Sequence, residues 1–519
     1  VTPSLMKINY DNREPDTALA NVKNMVFGFM YQIMTLIMSF VSRTVFIKTL
    51  GTEYLGLNGI FTDVLSLLSM ADLGFGTAMA YSFYKPLAEH DEEKIASLVQ
   101  FYKKVYNIIA VAVLVLGLAC VPFLKYFVNT EQDIPDLTAY YLVSLANVVI
   151  SYLFVYKTTL MTADQKDYKI VNIRMWFTFF KTLVQILVLI FTANYMAYII
   201  VGVLSQFLNN FIASRKTEKE YPYINDRKKQ SGIEKEIGKQ IFGNMKSVFI
   251  YKLSGTLFSA TDNLIISMII GTAAVGLYSN YLMLSNKLLL IEQIVFSSLV
   301  ASIGNVIVKE KPEKRLQIFQ SMQSVSFIFC GIITSAFCLL ASDVVTVWLG
   351  KEFVFSTDVI IAVTLNTYFS CVLQPLWIYR DATGLYMKTK YMMLIGAVLN
   401  IVLSVVLGNV IGITGIIIAS AISRICTYFW YEPQLLFKKY FNQGASKYFL
   451  SILLNVFLVC ITVIVLSKGF AFLKVYSWYT LIIKGIIIGS CCSVIFILAY
   501  CRTQGFQLIV NKVRAILKR

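Results

Sequence analysis

Residues 448–467 read YFLSILLNVFLVCITVIVLS, twenty consecutive positions without a charged side chain. An α-helix rises about 1.5 Å per residue and the hydrocarbon core of a bilayer is about 30 Å thick, so about twenty apolar residues cross it once. Working outward, residues 105–124 read VYNIIAVAVLVLGLACVPFL, again without a charge, and similar runs recur from end to end. Of the 519 residues, 57% are hydrophobic and 14% charged, with a mean hydropathy of +0.68. Soluble domains are about 45–50% apolar and about 25% charged, so packing in water does not account for this chain. The runs are continuous rather than alternating, which excludes a transmembrane β-barrel. The sequence therefore predicts an all-α polytopic membrane protein of about fourteen transmembrane helices. Spans are expected at 22–46, 57–82, 102–124, 138–156, 173–193, 195–214, 247–270, 273–300, 317–341, 355–379, 391–408, 410–430, 448–467 and 478–500.

The net charge of +17 is distributed by loop, not by patch. Lys85, Lys94, Lys103 and Lys104 lie on one side, and Lys157, Lys166 and Lys169 join them. The long loop after Arg215, then Lys309–Arg315, Lys388–Lys390, Lys438–Lys447 and the basic tail fall on that same side. By the positive-inside rule that side is cytoplasmic, which places both termini in the cytoplasm and argues against a nucleic-acid partner. The sole histidine, His90, lies in a polar loop, and the nine cysteines sit mostly in apolar runs with no CxxC spacing. Neither a metal site nor a cofactor nor His-based catalysis is expected.

The chain repeats itself at an offset of 220 residues, with 14 identities between Asn24 and Gln100. Among them Asn24-Met25 matches Asn244-Met245, Gly51-Thr52 matches Gly271-Thr272, and Gly56-Leu57 matches Gly276-Leu277. Six spans separate the units, so both start on the same side: a parallel repeat of two six-helix lobes plus two extra C-terminal helices. The expected organisation is an N-terminal lobe at 1–214 and a cytoplasmic linker loop at 215–246. A C-terminal lobe follows at 247–430, then spans 13–14 within 431–500 and a basic tail at 501–519.

A charge at mid-bilayer costs about 2.5–3.5 kcal/mol, so charged residues within spans usually face a cavity. At 100° per residue, Gly28, Gln32, Ser39 and Arg43 share one face of span 1. Lys252, Ser259 and Asn263 form the corresponding stripe on span 7, with Asp262 alongside; Arg174, Thr178, Lys181 and Gln185 form a third on span 5. Arg43, Arg174, Lys181 and Lys252 are expected to bind an anionic substrate, with Gln32, Ser39, Gln185, Ser259, Asn263 and Tyr281 lining the cavity. Three acids, Asp72, Asp262 and Glu292, are expected to pair with these bases or to couple transport to an ion, and Asp72 corresponds by offset to Glu292. Guanidinium and ammonium groups suit pyrophosphate. No GxxxxGK[ST] sequence is present, so energy must come from an ion gradient, the membrane potential or the substrate gradient.

Residues 42–57, SRTVFIKTLGTEYLGL, closely resemble the start of polysaccharide-export flippases. So do ADLGFG at 71–76, YKPLA at 84–88, TDN at 261–263, GLYSNY at 276–281 and SIGN at 302–305. The chain thus resembles the oligosaccharide (Wzx-type) branch of the multidrug/oligosaccharidyl-lipid/polysaccharide exporter superfamily. The resemblance implies a non-enzymatic flippase in the bacterial cytoplasmic membrane. Its cargo would be undecaprenyl-pyrophosphate-linked oligosaccharide repeat units, its lobes would alternate access, and its cavity would be lined with basic residues. It implies work alongside a polymerase and export machinery. Two alternatives stay open: an ion-coupled multidrug exporter of the same superfamily, and a peptidoglycan-precursor lipid flippase.

Overall fold

The computed structural model describes residues 15–69, 75–130, 134–226, 235–297, 299–508 and 510. All regular structure among them is helical. In chain order the helices are α1 (Pro15–Leu68), α2 (Phe75–Ala88), α3 (Glu92–Cys120), α4 (Leu124–Phe127), α5 (Leu137–Ala163), α6 (Asp167–Thr192), α7 (Tyr195–Glu220), α8 (Lys235–Ile269) and α9 (Thr272–Ser297). They continue as α10 (Val300–Lys309), α11 (Pro312–Trp348), α12 (Thr357–Val372), α13 (Gln374–Thr383), α14 (Tyr386–Cys426), α15 (Tyr428–Leu436), α16 (Ser446–Gly469) and α17 (Trp478–Tyr500). Among the described residues nine helices, or up to ten if a bent pair counts as one span, are long and apolar enough to cross a membrane. Their outward faces are apolar: α16 exposes Leu450, Leu453, Leu454, Phe457, Ile461 and Ile464, a stripe that only lipid tails can cover favourably.

The expected spans and the helices differ where the chain bends. Span 1 and the first half of span 2 belong to one helix, α1, broken only at Gly51 (φ 81°), because a single residue in the left-handed region redirects a helix without a loop. Span 10 divides into α12 and α13 with a 43° bend. Pro375 lies at the start of α13, where its ring and missing N–H end the preceding ladder. Spans 11 and 12 form α14, turned at Ile411 and Gly412 (φ 64°).

The chain divides into two compact units: residues 1–51, 68–124 and 134–249, and residues 52–67, 125–133 and 250–519. In the first, α5 packs against α3 and α7. Tyr140 meets Tyr195 edge-on at 4.9 Å, and the buried Tyr141 hydroxyl donates to the Gly117 carbonyl at 3.0 Å. At one end Asn24 donates to Gln165 O (2.8 Å) and accepts from Tyr168 N (2.7 Å), tying α1 to the α5–α6 turn. A charge cluster closes the same end. Lys166 bridges Asp164 (2.8 Å) and Glu220 (3.2 Å), and Lys169 pairs with Glu220 at 2.7 Å. Burial works against the charge on Lys166, but these carboxylates outweigh it and hold its pKa above the ordinary lysine value.

In the second unit α11 is the central helix, packed on α12, α16 and α17. Phe319, Tyr379, Phe437, Phe441 and Tyr448 stack around its N-terminal half at centroid distances of 5.1–5.9 Å. Asn455 fastens α16: it accepts from Tyr368 (3.0 Å) and donates to Tyr500 (2.8 Å). The residue 52–67 segment of α1 packs on α9 at matched small residues. A Cβ on Gly56 would lie 1.9 Å from Thr272 O, and one on Gly276 would lie 2.1 Å from Thr52 O.

Candidate functional site: a polar cavity among α8, α9, α12 and α14

The second unit holds a cavity of about 240 Å³ among four helices. Asp262 and Asn263 come from α8, Tyr278 and Ser285 from α9, Asn366 from α12 and Arg424 from α14. Each helix supplies its polar groups through the 3.6-residue period, with the remaining faces apolar. Asp262 accepts from Ser420 Oγ (2.8 Å) and Asn400 Nδ2 (3.1 Å). Asn263 donates to Asp63 at 2.6 Å, and Asn366 donates to Ile417 O at 2.7 Å. Arg424 donates to Ser370 Oγ at 3.3 Å and lies 5.0 Å from the Phe258 ring. Nε of Arg424, Oδ1 of Asn263 and Oδ1 of Asn366 are buried without a hydrogen-bond partner. Unsatisfied groups of both kinds facing one cavity are what a guest bearing hydroxyls or an anion completes.

The expected salt bridges to the acids are absent among the described residues. Asp262 is held by neutral donors, as above. Glu292, fully buried, accepts from Ser326 Oγ at 3.0 Å, while its Oε2 has no partner. Asp72 lies outside the described residues. Of the bases, Arg43, Arg174 and Lys181 belong to the first unit and Lys252 to the second. Arg43 of α1 is half-buried beside Tyr198 of α7, and the Tyr198 backbone carbonyl accepts from Gln185 Nε2 of α6 at 3.0 Å. Lys181 and Lys252 are half-buried and form no ion pair among the described residues, and Arg174 is exposed. Gln32 and Ser39 are half-buried on α1, with Ser39 donating to Leu36 O; Ser259 is exposed and donates to Gly255 O. Tyr281 is fully buried and accepts from Phe355 N at 3.0 Å. The stripes do not single out Arg424 and Asp63. Both are charges isolated in apolar runs, and that isolation is the signal that marks them.

The fold is that of known membrane transporters. A "lipid II flippase MurJ, inward closed conformation" superposes with a TM-score of 0.63 at 14% identity, covering 93% of this chain and 100% of that one. An inward-facing multidrug resistance MATE family transporter of the MOP superfamily gives 0.57 at 15% identity, covering 76% and 93%. A mutant form of the Vibrio cholerae MATE transporter VcmN gives 0.52 at 15%, covering 83% and 100%. Comparison with curated proteins finds no match. Residues 21–303 match the family described as polysaccharide biosynthesis protein, and with more than half of its length so matched the chain belongs to that family.

Proposed function

We propose that the protein is a flippase that moves undecaprenyl-pyrophosphate-linked oligosaccharide repeat units across the bacterial cytoplasmic membrane. They would serve the synthesis of capsule, exopolysaccharide or another surface polysaccharide. Lobes at 1–214 and 247–430 alternate access around a cationic cavity, with Arg43, Arg174, Lys181 and Lys252 binding the pyrophosphate and both termini cytoplasmic. One observation carries this reading. Within the family-matched residues, Lys181 sits half-buried on α6, one of the helices apolar enough to cross a membrane, and Lys252 half-buried on α8, each with no carboxylate partner among the described residues. Such bases are costly in a bilayer unless something anionic visits them. A pyrophosphate is such a visitor, and the family's link to polysaccharide synthesis supplies the sugar. Asp262 and Glu292 then serve as coupling acids, because neither forms a salt bridge among the described residues and their hydrogen-bond donors are neutral.

The test is to follow lipid-linked oligosaccharide in a deletion strain. Accumulation on the cytoplasmic leaflet, reversed by the intact gene, is expected. Accumulation of peptidoglycan precursor instead would make the protein a precursor flippase, and loss of drug efflux alone would make it a multidrug exporter.

A further inference from the structure

The first unit carries a polar group of its own on α7. Gln206, Asn209 and Asn210 place three carboxamides within five residues of a helix apolar enough to cross a membrane. At 100° per residue they share a face with Tyr195, Ile199, Ala213 and Thr217, all buried, while Leu204, Phe207, Leu208 and Phe211 on the opposite face are exposed, as lipid contact requires. Between those buried residues the three carboxamides are only half-buried, so the packing loosens at mid-helix. Membrane helices use such side chains to fasten a neighbour, as Asn400 and Asn455 do in this protein. These three bond only to one another among the described residues. Asn209 and Gln206 both donate to Asn210 Oδ1, at 3.0 and 3.4 Å, and Asn209 Oδ1 is buried without a partner. Two neighbouring helices add to the group. Gln185 of α6 donates to the Tyr198 carbonyl, and its Nε2 lies 3.4 Å from where a Cβ on Gly202 would stand. The two helices run antiparallel, so Lys181, one turn before Gln185, lies at the level of Gln206. On α5, Asn147 stands seven residues from both Tyr140 and Phe154, and hence on their face; their rings meet Tyr195 and Phe207 of α7 at 4.9 and 5.8 Å. Asn147 Oδ1 is also buried without a partner.

Carboxamides offer donors and acceptors together. A metal cation would use only the oxygens and be repelled by Lys181, and a bare anion would use only the N–H groups. A sugar ring uses both, because each hydroxyl donates and accepts. An ammonium group at the same level suits the phosphate that carries such a sugar. We propose that Gln206, Asn209, Asn210 and Asn147 bind the hydroxyls of the sugar attached directly to the pyrophosphate, with Lys181 on the phosphate. This deepens the proposed function and rests on it: the lysine reads the charge common to every polyprenyl pyrophosphate, and the carboxamides read the glycan.

The experiment titrates the full chain in nanodiscs with two lipids, undecaprenyl pyrophosphate and the same lipid bearing its oligosaccharide, the latter extracted from a strain lacking the gene. Wild type should hold the glycosylated lipid about tenfold more tightly than the bare one, as a few net hydrogen bonds to neutral groups allow. A Q206M/N209L double variant should lose that preference and keep its affinity for the bare lipid, whereas Lys181→Ala should weaken both. Asn209→Leu alone should weaken the glycosylated lipid about threefold without lowering the Tm, since it removes a buried acceptor that has no partner. That single variant decides the matter should the double variant fail to accumulate. An unchanged preference in the variants, or loss of both lipids together with a lowered Tm, overturns the sugar site. Equal binding of the two lipids by wild type overturns it as well and leaves the flippase reading standing, while wild type that binds neither lipid overturns both.

Discussion

Arg380 shows how this fold satisfies a charge it keeps buried. Its Nη1 donates to Glu432 at 3.3 Å, its Nε to Asp381 at 3.1 Å, and its guanidinium stands 4.8 Å from the Tyr251 ring. Arg380→Ala leaves Glu432 unpaired in the interior and should cost about 3–5 kcal/mol, read as a lowered Tm in detergent. Lys181 and Lys252 have no such partners among the described residues, so truncation should spare the fold and remove substrate affinity. Each alanine variant should insert normally and flip lipid-linked oligosaccharide about tenfold or more slowly, since a hydrogen bond to a charged group contributes about 1.5–3 kcal/mol. Export at wild-type rate by both would make them structural. Asp262→Asn keeps a polar side chain against Ser420 and Asn400 and removes the carboxylate whose charge Arg424 feels across the cavity; transport by that variant should persist without its dependence on an ion gradient. Unfolding of the variant would instead assign Asp262 to structure. Helical faces make Ser259, Asp262 and Asn263, which line the cavity, legible in the sequence, because a polar stripe in an apolar run stands out. Their partners are not legible: the hydrogen bond from Asn263 to Asp63 joins residues 200 positions apart, and no local pattern encodes it.

At the scale of the helices, close approach and polar fastening do the holding, since lipid tails are as apolar as leucine and give no drive toward burial. Asn455 joins α16 to α12 and α17 by hydrogen bonds to two tyrosines. Asn455→Leu keeps the volume and loses both bonds, leaving Tyr368 only its 3.4 Å contact to Ile452 O; α16 should loosen by about 1 kcal/mol, seen as faster proteolysis or hydrogen exchange there. Gly56→Val is more severe, because the obstructing atom is backbone and cannot rotate away. That variant should fail to accumulate as folded protein, while Gly28→Val, with open space around it, should be tolerated. The helical class follows from run length alone. The bends do not, because one glycine at Gly51 and one proline at Pro375 redirect helices whose hydropathy runs on unbroken.

For the molecule as a whole, the charge asymmetry of the loops predicts sidedness. A cysteine introduced at Lys228 should be inaccessible to a membrane-impermeant reagent added from outside, and one at Lys474 accessible; the reverse pattern would invert the topology. The 220-residue repeat is readable in the sequence, and the fold places its matched glycines against one another. Thr52 meets Gly276 while Thr272 meets Gly56, each residue facing the mate of its own neighbour. That reciprocity is the signature of an isologous two-fold interface, the contact two identical chains make when they dimerise. A half-length chain carrying this helix would present the same self-complementary patch, so it would associate with itself before any fusion linked the halves. In such a homodimer every substitution strikes the contact twice; in the single chain a substitution at Gly56 or Gly276 strikes it once.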